Sequence, residues 1–282
     1  ALAVVTFAAG LASTIFLPLS DALLRGFGWR TAILILGMFL ACMTIPLHIL
    51  ILRRHPSDLG LQPDGTRQLS DVPATPLPGV TFRTALSERT FWLLTAAFGL
   101  IWLSAAAIRV HFIPFLIGTG IDSSTAAFAT GAIGIMQVVG RVLFAPLDHH
   151  FSSRVIVVGV FALHVVAMLF LLIGQSGLML GAFIFVFGVA QGAGTLARPS
   201  ILAELYGAAH FGRISSIMAL FLILTSTAAP LIASLLYDQA GSYQPVLWMA
   251  AILAVGATGI VIMVRRETPT SKSASAVQSA SD

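Results

Sequence analysis

Eight stretches of this chain, 2–24, 31–52, 91–118, 124–145, 155–174, 178–196, 214–237 and 245–264, are each apolar enough and long enough to cross a lipid bilayer. A hydrocarbon core is about 30 Å thick, and a helix needs roughly 20 residues to traverse it. No water reaches a peptide group there, so each stretch must close its own N–H and C=O hydrogen bonds, which a helix does and an open strand does not. The expected fold is therefore an all-α polytopic membrane protein with about eight transmembrane helices. Charged residues make up only 9% of the chain, against roughly a quarter in a soluble domain. The lone cysteine, Cys42, lies inside an apolar run and reads as a small packing residue, leaving no pair for a disulfide.

Most connections are short and carry turn residues, such as Gly26-Phe27-Gly28, Gly118-Thr119-Gly120 and Gln175-Ser176-Gly177, so sequential helices are expected to be antiparallel neighbours. The segment 53–90 differs: it is polar, holds Pro56, Pro63, Pro73, Pro76 and Pro78, and reads as a linker between two bundles. If Ala1 starts at the cytoplasmic face, the basic residues divide sharply. Arg53, Arg54, Arg67, Arg83, Arg89, Arg141, Arg154, Arg198, Arg213, Arg265, Arg266 and Lys272 fall inside, Arg25 and Arg30 fall outside, and Arg109 lies in the membrane. This is the positive-inside distribution of an integral cytoplasmic-membrane protein, and it places both chain ends in the cytoplasm. The tail 265–282 has too few apolar residues to fold. A basic surface for nucleic acid is not implied, because the cations sit between apolar runs.

Pro18-Leu19-Ser20-Asp21-Ala22-Leu23-Leu24, then Gly28 and a new apolar run, parallels Pro230-Leu231-Ile232-Ala233-Ser234-Leu235-Leu236, then Gly241 and a new apolar run. Taken as a repeat, the first helix pair corresponds to the last, and an equivalent four helices are expected before Ala1. The absence of Met, or of a signal-peptide start, at Ala1 agrees with a chain that begins within a longer protein.

The most specific motif is Gly140-Arg141-Val142-Leu143-Phe144-Ala145-Pro146-Leu147-Asp148-His149-His150-Phe151-Ser152-Ser153-Arg154, at the inner end of one helix and the start of the next. It resembles the loop motif of the major facilitator superfamily, with His149 and Ser153 where the family often has basic residues. Gly28-Trp29-Arg30, the strings at 54–60 and 63–65, Ala197-Arg198-Pro199, Glu204-Leu205-Tyr206-Gly207 and Phe211-Gly212 extend the likeness towards its oxalate:formate antiporter and monocarboxylate carrier branch. The resemblance implies a fold lacking its first four helices: the last two helices of an N-terminal bundle (1–52), a cytoplasmic linker (53–90), a C-terminal six-helix bundle (91–264) and a disordered tail (265–282). It also implies secondary transport of a small solute by alternating access, the alternative being a sensor of the same fold that binds without moving solute.

Within the motif, Asp148 is expected at a tight turn where it accepts hydrogen bonds from a helix N-terminus while Arg141 and Arg154 offset its charge. Arg198 and Glu204 flank Pro199 and could pair with each other or with Asp148. Together with Gly140, these residues form the expected conformational latch.

Arg109, towards the outer part of its span, is the leading candidate for the substrate site, the alternative being that it snorkels to the outer headgroups or braces a gate. An arginine in an apolar span costs several kcal/mol unless it faces water, a partner or a substrate. Its planar fork suits a carboxylate, so the expected substrate is an organic anion, a mono- or dicarboxylate, with a proton or counter-anion as possible coupling partner. Gln137 and Gln191 are polar residues in spans that can bond a solute or a neighbouring helix, and His111 completes the candidate set although two residues on from Arg109 it points to another flank. His48 and His164 read as packing or interfacial histidines. Gly188, Gly192 and Gly194 form a small-residue face for close helix approach. No phosphate-binding loop, nucleophile elbow or metal-ligand spacing is found, so no enzyme, cofactor or metal is implied.

Overall fold

The computed structural model describes residues 2–51, 79–174 and 176–264, with side chains throughout apart from 2–11 and 13. The linker before Gly79, the tail after Val264 and the strings at 54–60 and 63–65 lie outside the described residues. The elements are α1 (Leu2–Ile51), α2 (Phe82–Ser87), α3 (Arg89–Gly118), α4 (Ser123–His150), α5 (Ser153–Ile173), α6 (Gly177–Tyr206), α7 (Phe211–Ala240) and α8 (Gln244–Met263). Seven of them are long and apolar enough to cross a membrane.

α1 is two expected spans in one element. Its helix is interrupted at Gly28, where φ is 73° and ψ 166°, a conformation open to glycine because it has no Cβ. The Phe16 and Phe39 ring centroids lie 6.2 Å apart. In a straight helix, residues so separated would stand about 34 Å apart, so the chain folds back at Gly28 into two antiparallel arms. The same device recurs at Gly241, left-handed at φ 63°, between α7 and α8. Pro18 and Pro230 lie inside their helices, so the repeat read from the sequence corresponds to two helix, reversal, helix units.

The first arm of α1 packs on α4; its second arm, from Gly28 on, is almost wholly exposed, Cys42 included, which moves that thiol from the expected packing role to an outer face. The other helices pack as α3 on α7 and α8, α5 on α6 and α8, and α4 on α6. Lipid tails offer no hydrophobic drive between helices, so the contacts must come from close fit of small and aromatic side chains.

Two helices outrun their expected ends. α4 continues through Pro146 to His150, and α6 through Pro199 to Tyr206. Proline removes one N–H, but a membrane helix can re-satisfy the freed carbonyl from neighbours and continue. The end of the linker is also more ordered than its composition suggests. Val80 N–H donates to Tyr206 C=O at 3.0 Å, Gly79 bridges Gly207, and Thr81 caps α2 through Thr84 N–H. Trp92 Nε1 then donates to Leu86 C=O at 2.9 Å, fastening α2 to the start of α3.

Candidate functional site

Two of the three apolar clusters among the described residues are stacked along the bundle axis. In the one nearer the cation-rich end, α3 contributes residues up to Ile101, α5 up to Phe161 and α6 from Ala193 onward. In the other, α3 contributes from Ala105, α5 from Ala167 and α6 up to Phe187. Ser104, His164 and Gln191 fall in the gap between them, forming a polar layer at mid-bundle. Ser104 Oγ donates to Ala250 C=O of α8 at 2.9 Å. His164, 2% exposed, places Nδ1 2.9 Å from its own helix's Val160 C=O, while Nε2 has no hydrogen-bond partner. The Gln191 side chain approaches this ring, and Arg109 of α3 stands within electrostatic reach of it. Arg109 itself is exposed although it lies inside a span. Polar chemistry from three helices thus converges where an apolar bundle has least use for it. Sequence reasoning placed Arg109 and Gln191 in the candidate site but assigned His164 to packing.

Gln137 belongs to the neighbouring crossing of α4 over α6. A Cβ on Gly192 would lie inside contact distance of the Gln137 carbonyl oxygen and 2.7 Å from its carbonyl carbon; one on Gly188 would meet Met136 Cβ and lie 2.8 Å from Ile133 O. Reciprocally, a Cβ on Gly140 would strike the Val189 carbonyl. Three glycines therefore let two backbones touch, and Gly140, expected as part of the latch, is a packing residue here. Gly194 is not on that face: its nearest neighbour is Val160 Cγ1 of α5, at an ordinary 3.5 Å.

His111 is separated from this layer. Its Nε2 lies 3.3 Å from Pro230 C=O of α7, and its ring is 5.7 Å from Tyr243, which also meets Tyr237 at 4.4 Å. It braces α3 against α7 and α8 in an aromatic group.

At the cation-rich end the expected latch takes a different form. α4 has not ended at Asp148, which sits in its last turn and accepts from Ser200 Oγ of α6 at 2.8 Å. Ser200 Oγ also lies 2.9 Å from Ser153 Oγ at the start of α5, and Ser153 N–H donates to Glu204 Oε2 at 3.1 Å. The carboxylate at the α5 N-terminus, where backbone donors and the helix dipole favour an anion, is therefore Glu204, correcting the assignment to Asp148. Arg154 donates to Ile262 C=O, tying α5 to the end of α8, and Arg141 Nε donates to Thr195 Oγ1 at 3.3 Å. Arg198 stacks over Trp102 with its guanidinium carbon 5.9 Å from the ring centroid, in place of the anticipated pairing with Glu204 or Asp148. Glu204→Ala should cost about 1 kcal/mol, the scale of a lost helix cap, and Glu204→Gln much less; thermal midpoints of the two variants in detergent check this.

At the opposite end, α1 and α4 are joined by a second polar group. Asp21 Oδ2 lies 3.1 Å from Arg25 Nε and accepts from Ser124 Oγ at 3.1 Å, while Arg25 Nη2 donates to Ser123 Oγ. Thr14 Oγ1 donates to Gly131 C=O at 2.8 Å further along the same seam. The Asp21 side chain is 17% exposed and Arg25 52%, so this contact is worth at most about 1 kcal/mol. Asp21→Ala should widen the distance distribution between spin labels at positions 27 and 121; an unchanged distribution would mean that apolar packing alone holds the seam.

Residues 104–280 match the sequence profile of the Major Facilitator Superfamily. The chain is 25% identical over 256 residues to "Monocarboxylate transporter 12" of Rattus norvegicus, covering 83% of this chain and 53% of that protein. It is 26% identical over 283 residues to "Monocarboxylate transporter 13" of Bos taurus, covering 97% and 62% respectively. It is also 28% identical over 209 residues to a "Probable sugar efflux transporter" of Mannheimia succiniciproducens, covering 73% and 48%. The chain thus spans roughly half the length of these relatives. That match covers more than half of the chain, and the chain belongs to the major facilitator superfamily.

Proposed function

We propose that this chain is part of a secondary transporter that carries a small organic anion, a mono- or dicarboxylate, across a bacterial cytoplasmic membrane by alternating access. The observation that carries this reading is Arg109, an arginine exposed inside the span of α3. A guanidinium at membrane depth is penalised by at least about 2.5 kcal/mol unless water or an anion solvates it. Its fork of N–H donors matches a carboxylate.

Alternating access needs contacts that close one end while the other opens. The Asp21–Arg25 group with Ser123 and Ser124 supports one such closure, and the Asp148, Ser200, Ser153 and Glu204 chain supports a rigid C-terminal bundle at the other. The cation distribution supports a cytoplasmic position for the second of these. Relatives named monocarboxylate transporters favour the anion, and a proton or counter-anion supplies the coupling.

The test is exchange. The full-length polypeptide carrying this sequence is reconstituted in liposomes preloaded with unlabelled pyruvate, and entry of radiolabelled pyruvate is followed. Preloading should accelerate entry, because a carrier returns faster loaded than empty. Saturable binding without accumulation would overturn transport and make the protein a sensor.

A further inference from the structure

We propose that the end of the bundle opposite the cation-rich one holds a second ligand site, a cleft between α3 and the α7–α8 reversal that takes a neutral, polyhydroxylated molecule of the size of a monosaccharide. The site is separate from Arg109 and stands independently of the anion reading.

The chain makes the cleft by ending two helices side by side. α3 stops at Gly118, with Thr119 as its cap residue, and α7 stops at Ala240, where Gly241 turns left-handed and leads into α8. Because α3 packs on both α7 and α8, these ends face each other across a space of about 380 Å³. Small-molecule sites occupy roughly 300 to 1,000 Å³, so the cleft has room for one small ring.

The lining decides the class of ligand. Thr119, Tyr237, Ser242, Tyr243 and Gln244 bring four hydroxyls and an amide, so an apolar occupant would take water from donors and acceptors and give nothing back. Among the described residues, none that lines the cleft is ionised, so neither an anion nor a cation finds a counter-charge there. Tyr237 packs on Tyr243 at 4.4 Å, and Phe115 meets Tyr243 edge-on at 5.9 Å. The rings thus form one continuous wall, not the several-sided cage that holds a quaternary ammonium ion. A neutral ring with hydroxyls on its rim and C–H groups on its face matches both features. The hydroxyls pair with the polar side chains, and the C–H face lies against the electron-rich aromatic wall.

The floor of the cleft reaches into the bundle. A narrow cavity beneath it shares Phe115, Tyr243 and Leu247 and extends to His111, whose Nε2 lies 3.3 Å from Pro230 C=O. An occupant therefore rests on the aromatic group that braces α3 against α7 and α8. Arg109 is in neither lining; it lies about 14 Å before Gly118 along the helix.

The experiment places the full-length polypeptide, carrying fluorotyrosine, in lipid nanodiscs free of sugar detergents. Fluorine NMR resonances of Tyr206, Tyr237 and Tyr243 are assigned by replacing each with phenylalanine. Glucose, galactose and glycerol are titrated separately, with pyruvate and tetraethylammonium as charged probes. At least one neutral probe should shift Tyr237 and Tyr243 saturably in the low millimolar range, the scale of a ligand of about 12 non-hydrogen atoms. Tyr206, at the cation-rich end, should not move. Gln244→Leu, at an exposed position, should raise the half-saturating concentration about tenfold, the effect of one lost hydrogen bond, and Arg109→Gln should leave it unchanged. Tyrosines silent to all three neutral probes, shifts that follow Tyr206 without saturating, an unchanged response in Gln244→Leu, or a response to the charged probes instead would each overturn the inference. Failure of the natural sequence to carry pyruvate bears on the Arg109 reading alone.

Discussion

Replacing Gly192 by alanine is expected to destabilise the bundle by about 3 kcal/mol, towards the upper end of what one excess methyl group costs in a packed interior. The added Cβ would overlap the carbonyl oxygen of Gln137 and stand 2.7 Å from its carbonyl carbon and 2.8 Å from its Cα. All three are backbone atoms, so no side-chain rotation relieves the clash. α4 and α6 must part, and dispersion contacts along the whole crossing weaken together, since they decay steeply with a gap of even an ångström. Gly140→Ala meets the Val189 backbone from the other side of the same crossing, so the double variant should lose less than the sum of the two singles. Gly181 provides the control. Nothing lies within 4 Å of its Cβ position, and alanine there should be neutral or stabilising by up to about 1 kcal/mol through helix propensity. Thermal midpoints in detergent check the series; equal midpoints for Gly192→Ala and Gly181→Ala would remove the close crossing.

Arg109→Gln should reduce carboxylate transport roughly 100-fold in kcat/KM. Removing one partner of a desolvated, hydrogen-bonded charge pair costs about 2 to 5 kcal/mol, and 100-fold corresponds to about 2.7 kcal/mol. Glutamine keeps length and polarity but loses the charge and the forked donors. Arg109→Lys should fall between the two, because an ammonium retains charge without bidentate geometry. Initial uptake rates in proteoliposomes measure the loss. The thermal midpoint of the same protein should be unchanged or raised, since a cation exposed inside a span contributes little to packing. Full transport of every carried anion by Arg109→Gln would place the substrate elsewhere.

Hydropathy alone carried the eight spans, counting both arms of α1, because length and apolarity are what a bilayer demands of any crossing segment. Helix ends were less legible. The spans were expected to end at 145 and 196, yet both helices continue through Pro146 and Pro199, and that continuation displaces Asp148 from a turn into a helix and leaves Glu204 to meet the α5 N-terminus. α2 escaped notice because six residues hold too little periodic signal, and its fastening through Trp92 is a tertiary contact.

The candidate site was half legible for a physical reason. A charge in a span announces itself by its cost, so Arg109 was visible at once. A neutral histidine in a span does not, and which helix face meets which neighbour cannot be read from one sequence. His164 was read as packing, and it is buried against the Phe187 ring in the same layer as Ser104 and Gln191. The same blindness to rotation grouped Gly194 with Gly188 and Gly192.

Charge selectivity is the most direct test of the anion site. The full-length polypeptide in proteoliposomes would be offered radiolabelled pyruvate, a dicarboxylate such as succinate and a neutral sugar in parallel. Saturable uptake of at least one carboxylate, abolished by Arg109→Gln, with the sugar excluded, is the expected result. Uptake of the sugar alone, unaffected by Arg109→Gln, would contradict it.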